Sequence, residues 1–138
     1  MHIHHLAIVT EDMESALAFW RDALGLQISA RREVPEEAAE IAFLPLGSGE
    51  IELVRPTTED SGLGRYLAKR GGGLHHVCLE VDDLEAVMQR LRANGAELIN
   101  EQPRQGADER RYAFVHPKST GGVLLELYEM HGEPHRES

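Results

Sequence analysis

The chain has 138 residues, of which 41% are hydrophobic, and its 24 acidic and 14 basic side chains leave a net charge of −10. That length is one domain's worth and can bury a real core. The acidic balance argues against a nucleic-acid partner, which usually meets a basic face. No apolar stretch approaches the ~20 residues of a membrane span. The N-terminus is polar, His-rich and without a signal-peptide pattern, so the expected setting is the cytoplasm, away from membranes. The single cysteine, Cys78, rules out an internal disulfide and reads as a small buried hydrophobe.

His2 to Val9 reads as a strand, with His5, Ala7 and Val9 on one face and His4, Leu6 and Ile8 on the other. Thr10 to Asp12 supply a turn and an N-cap. Met13, Ala16, Leu17, Trp20 and Leu24 follow at helical spacing until Gly25 stops the helix. Strands are expected over 26–33, 40–46 and 50–55. A loop at 35–39 and a Gly-Ser-Gly turn at 47–49 separate them. Ser61 to Arg70 suggests a short helix, and Gly71-Gly72-Gly73 a flexible break.

The second half repeats that order. A strand over 74–81 leads to a helix capped by Asp83, which carries Leu84, Val87, Met88 and Leu91 and ends near Asn94-Gly95. Strands follow at 97–100, 110–116 and 123–130, with a loop at 102–109 and a turn at 117–122. Residues 131–138 read as a frayed polar tail. The expected architecture is α+β: two βαβββ modules, 1–56 and 74–130, joined by a connector at 57–73. Together they form one half-open mixed β-barrel with the helices outside, as a single domain.

The repeat also carries chemistry. His4-His5 and His75-His76 occupy matching strands, and His5 and His76 lie 71 positions apart. Glu52 and Glu126 sit in apolar strands at matching places, 74 positions apart. A carboxylate in a buried strand is costly without a partner or a metal. Alternation allows only one histidine of each pair to face inward. Two imidazoles and two carboxylates form an N2O2 set suited to a borderline divalent ion, leaving positions open for Lewis-acid chemistry. Arg104, Arg110, Arg111 and Lys118 crowd a late stretch that could form a local positive mouth.

These residues carry a resemblance. His5-Leu6-Ala7-Ile8-Val9, Ala42-Phe43-Leu44-Pro45-Leu46-Gly47, Glu50-Ile51-Glu52-Leu53, Gly73-Leu74-His75-His76-Val77 with Glu80-Val81-Asp82-Asp83, and the run from His116 through Gly121-Gly122 to Leu127 are similar to the methylmalonyl-CoA epimerases. That family belongs to the vicinal oxygen chelate superfamily, which includes glyoxalase I. The similarity spans residues 3 to about 129, and the last run is its most specific part.

The resemblance implies metal ligands at His5, Glu52, His76 and Glu126, holding one divalent ion per chain. Co2+ is the first choice, with Mn2+, Ni2+, Zn2+ and Fe2+ as alternatives. It implies interconversion of (2R)- and (2S)-methylmalonyl-CoA through a metal-stabilised enolate, with α-proton transfer by Glu126. Glu40 is the choice for a second proton-transfer group. The preceding loop runs one residue short of the family's, and this alternatively places Ile41 at the equivalent position; a one-residue slip reverses the inward side chain. Lys118, Ser119, Arg104 and Arg111 are candidates for contact with the acyl-CoA substrate, and a homodimer is expected. The competing readings are a glyoxalase-type isomerase (lactoylglutathione lyase-like) and a non-catalytic small-molecule-binding protein on the same scaffold. An iron-dependent ring-cleaving dioxygenase fits less well, because two histidines and one carboxylate would leave Glu52 unexplained.

Overall fold

A computed structural model describes residues 1–106 and 109–130. The tail expected at 131–138 lies outside the described residues, as does part of the loop expected at 102–109. The chain divides into two compact units, His5–His75 and Met1–His4 with His76–Ser138.

In the first unit, β1 (His2–Val9, counted here from His5) leads into α1 (Met13–Leu17). Asp12 caps α1: its Oδ1 accepts from the Glu14 and Ser15 amides at 3.1 and 3.2 Å. The helix then widens into a π-helical turn, Ala18–Ala23, in which the Leu24 amide reaches back to the Phe19 carbonyl. Strands β2 (Ala30–Val34), β3 (Ala39–Leu46) and β4 (Gly49–Pro56) follow. The strand order is β2-β3-β4-β1, with β1 and β4 parallel and the other pairs antiparallel.

β2 is shorter than expected. Leu26 and Ile28 pack on the core beneath α1 instead of entering the ladder. That core, with Leu17, Leu44 and Leu53 fully buried, lies between α1 and one face of the sheet. Burying each such leucine contributes roughly 1.5–3 kcal/mol.

The connector forms α2 (Gly62–Arg70), capped by Ser61, whose Oγ accepts from the Gly64 amide at 2.9 Å. Leu63 of α2 packs against Ala7, Ala39, Ile41 and Val54 on the opposite face of the sheet. Gly64 is required by close approach, since a Cβ there would collide with the Thr58 and Glu59 carbonyls. Gly72 likewise passes the Val9 carbonyl, which would stand 2.9 Å from an added Cβ.

The second unit repeats the plan with β5 (Gly73–Glu80, counted here from His76), α3 (Leu84–Ala93), β6 (Arg104–Gln105), β7 (Arg110–Val115) and β8 (Leu124–Met130). Asp83 caps α3, accepting from the Ala86 amide at 3.1 Å. The order is β5-β8-β7-β6, again with one parallel pair, β5 and β8. Val81, Leu84, Met88, Ala113, Val115 and Leu127 form its core.

The strand expected at 97–100 is reduced to one isolated bridge, Leu98 to Val115. There the buried Asn100 side chain takes over the ladder's role. Its Oδ1 accepts the Phe114 amide at 2.8 Å and its Nδ2 donates to the Gln102 carbonyl at 2.7 Å. Both units show the order βαβββ, but the second unit's strand after the helix is Arg104–Gln105, inside the expected loop and not at 97–100; the strands do not close on themselves.

Candidate metal centre

Each unit pairs one histidine with one glutamate through the same register. In the first, β1 and β4 run parallel with Ala7 opposite Glu52, so His5, two residues earlier, shares the glutamate's face. His5 Nδ1 lies 3.5 Å from Glu52 Oε2, and both side chains are largely buried. In the second, Cys78 stands opposite Glu126, so His76, again two residues earlier, shares that face. His76 Nε2 lies 3.4 Å from Glu126 Oε1. The offset of two residues is common to both halves.

The spacing fits a cation. Two donor atoms each bound at about 2.0–2.2 Å to one ion stand about 3.0 Å apart at the right angles of a six-coordinate site and about 3.4 Å apart at tetrahedral angles. Each unit by itself thus offers one nitrogen and one carboxylate oxygen near the separation of two donors to a single ion.

The second histidine of each pair does other work. In the second unit, His4 packs edge-on against Tyr128 with ring centroids 4.6 Å apart, and His2 approaches Glu80 at 3.3 Å. In the first unit, His75 packs edge-on against Tyr66 at 4.6 Å. Burial pushes the Tyr128 hydroxyl above its ordinary pKa, partly offset by Arg110, so the phenol is a neutral donor at physiological pH. Cys78 is buried, as expected of a small core residue.

The register puts two candidate residues, Glu40 and Arg111, on the helix side of their sheets. Phe43 stands opposite Glu52, so Ile41 and Ala39 share the glutamate's face while Glu40, opposite Arg55, points to the other. That other face is the one beneath α1. There Glu40 accepts from Arg31 Nε at 2.7 Å and from Arg55 Nε at 3.0 Å, while Arg31 also holds Glu14 of α1. The Arg31 guanidinium, joined by Arg55, keeps the Glu40 carboxyl below the ordinary carboxylate range against the opposing push of burial. Glu40 is therefore a structural ion-pair partner on the helix side of its sheet, and its placement does not support proton transfer.

Arg111 is the matching case. It stands opposite Glu129 on the helix side of the second sheet and binds Glu129 at 3.1 Å and Glu85 of α3 at 2.9 Å. The two units thus carry one cross-strand ion pair with its polarity reversed, Glu40–Arg55 and Arg111–Glu129. Lys118 pairs with Glu97 at 3.5 Å, and Ser119 Oγ accepts the Glu97 amide at 2.8 Å. Arg104 stands opposite Tyr112 on the exposed edge strand β6. The positive mouth expected from this stretch is largely neutralised at Arg111 and Lys118.

Sequence reasoning missed a phenylalanine opposite each glutamate. Phe43 stands opposite Glu52 and Phe114 opposite Glu126. The signal was available, because the two phenylalanines are 71 positions apart, as His5 and His76 are.

Known proteins show the same frame. The human mitochondrial methylmalonyl-CoA epimerase is 37% identical over 126 residues, covering 91% of this chain and 72% of that protein. An ethylmalonyl-CoA/methylmalonyl-CoA epimerase from Cereibacter sphaeroides is 35% identical over 130 residues, covering 93% of this chain and 97% of that protein. A solved methylmalonyl-CoA epimerase in complex with methylmalonyl-CoA and NH4+ superposes with a TM-score of 0.79 at 31% identity, over 95% of each chain. The α+β class and glyoxalase-like fold expected from the sequence are confirmed at this level. A family model for the Glyoxalase/Bleomycin resistance protein/Dioxygenase superfamily matches residues 4–114. With matching His–Glu registers in two βαβββ units and relatives of this identity over nearly its full length, the chain belongs to that superfamily.

Proposed function

We propose that this protein is a metal-dependent epimerase interconverting (2R)- and (2S)-methylmalonyl-CoA, its two units acting as the two modules of one domain. The repeated His–Glu register carries the reading: His5 with Glu52 and His76 with Glu126. The relatives named above support the substrate class.

All four side chains are assigned to one divalent ion per chain. Cobalt is the first candidate, and manganese, nickel, zinc or iron suits the same donors. When bound, the ion supplies Lewis-acid polarisation of the thioester carbonyl, which acidifies the adjacent carbon. Glu126 is the proton-transfer group, since a carboxylate can ligate through one oxygen and accept a proton through the other. His76, 3.4 Å away, is its neighbouring donor to the ion. Phe114 stands opposite Glu126 with the Tyr112 ring 5.8 Å from its own, and an apolar flank of this kind favours proton return to carbon. With Glu40 committed to Arg31 and Arg55, we assign the opposite-face proton to solvent water and not to a second carboxylate.

Among the described residues, no helix is long and apolar enough to cross a membrane. We place the protein in the cytoplasm as a homodimer acting in propionate metabolism, on the family resemblance.

The test is incubation with methylmalonyl-CoA in deuterated water. Deuterium uptake at C2 that needs a divalent metal is expected. No uptake above the uncatalysed background with any of the five metals would remove the epimerase reading.

A further inference from the structure

We infer that Arg32 is an anion-binding residue for the acyl-CoA substrate, contacting an anionic oxygen group of its acyl or carrier portion; the inference rests on the proposed epimerase reading. Arg32 stands opposite Ile41, which places it on the same face of the first unit's sheet as His5, Glu52 and Phe43. Its neighbour Arg31 points to the helix side and is consumed by Glu14 and Glu40. Arg32 has no carboxylate partner among the described residues. Its guanidinium instead lies 4.8 Å from the centroid of the Phe43 ring, and Phe43 is the residue directly opposite Glu52.

This placement has a chemical consequence. A guanidinium held over an aromatic face is oriented while its N–H edges stay available to an anion. The protein carries an excess of ten negative charges, and Arg21, Arg31, Arg55 and Arg111 are each paired with a carboxylate. An exposed arginine on the ligand face of an acidic chain is suited to recognising an anionic substrate. Strand spacing sets its range: Arg32 lies level with Val54, two strands across (about 9.5 Å) and two residues along (about 6.6 Å) from Glu52, or about 11.6 Å in all. An arginine side chain lying back over Phe43 covers part of that gap.

The second unit repeats the position. Arg104 of β6 stands opposite Tyr112, the residue that matches Ile41 when Phe43 is aligned with Phe114. Both outer strands therefore present an arginine on the ligand face. Arg32 is the one with an aromatic platform beneath it.

Two anionic groups on such a substrate meet this description, the free carboxylate of the acyl part and the phosphates of coenzyme A. The experiment separates them. Binding to the metal-loaded protein is measured by calorimetry for coenzyme A alone and for malonyl-pantetheine, which keeps the carboxylate and lacks the phosphates. Wild type, Arg32→Gln and Arg31→Gln are compared. Arg32→Gln is expected to weaken one of the two ligands by about tenfold, in line with loss of a charge-assisted contact. Weaker coenzyme A identifies the phosphates, and weaker malonyl-pantetheine identifies the carboxylate. Arg31→Gln, on the other face, should change neither affinity and should lower thermal stability. Unchanged binding of both ligands by Arg32→Gln, with its fold intact by circular dichroism, overturns the inference. Failure of wild type to bind either ligand instead removes the epimerase reading on which it rests.

Discussion

Glu40→Gln separates a structural carboxylate from a catalytic one. The substitution keeps the volume and one acceptor oxygen but removes the charge shared by Arg31 at 2.7 Å and Arg55 at 3.0 Å. Hydrogen bonds to charged groups contribute about 1.5–3 kcal/mol. The Glu40 side chain is 16% exposed and the two arginines are each 36% exposed, so solvent screens part of that interaction. A net loss of about 1–2 kcal/mol follows. For 138 residues the unfolding entropy is about 0.29 kcal/mol/K, so Tm should fall by about 3–7 °C.

The effect has a pH signature. The native carboxyl titrates below its unfolded value. Its contribution is therefore complete above the unfolded pKa and is lost as pH falls through the native one. The Tm gap between wild type and variant should stay constant near neutrality and close in acid. Deuterium exchange at C2 of methylmalonyl-CoA should remain within about twofold of wild type, because general-base loss would instead cost about 100-fold or more. A hundredfold loss of exchange with unchanged Tm would place Glu40 at the reacting carbon and refute the face assignment.

Glu126→Gln should reduce exchange by at least about 100-fold, and metal analysis on the same sample shows how much of the loss comes from weaker ligation. Arg111→Gln removes a side chain bound to Glu85 and Glu129. It should lower stability by about 1–3 kcal/mol in denaturant titration while leaving coenzyme A affinity unchanged. Gly64→Ala drives a methyl into the Thr58 and Glu59 carbonyls and should cost about 1–3 kcal/mol. A Tm equal to wild type would contradict the close approach described there.

The repeat made the fold and the His–Glu pairs legible, because strand alternation and the apolar setting of Glu52 and Glu126 are local properties of the sequence. Helix starts were equally readable, since Asp12, Ser61 and Asp83 cap through nearby amides. Face assignment in β3 was not. The left-handed Ala38 follows the turn at Pro35–Glu37 and sets which of Glu40 and Ile41 faces the ligand side, and one residue of loop length reverses the answer. The strand expected at 97–100 failed for a different reason. The Asn100 side chain satisfied the Phe114 amide that a strand would have paired. Arg32 was not singled out in the sequence, because only the strand register separates it, on the face of Glu52, from Arg111 on a helix face.

The proposed function requires one metal ion for the four side chains His5, Glu52, His76 and Glu126. Metal-stripped protein titrated with cobalt should take up one equivalent, and His5→Ala and His76→Ala should each abolish tight uptake on their own. Two equivalents per chain, or undiminished uptake by either variant, would contradict a single ion shared by His5, Glu52, His76 and Glu126.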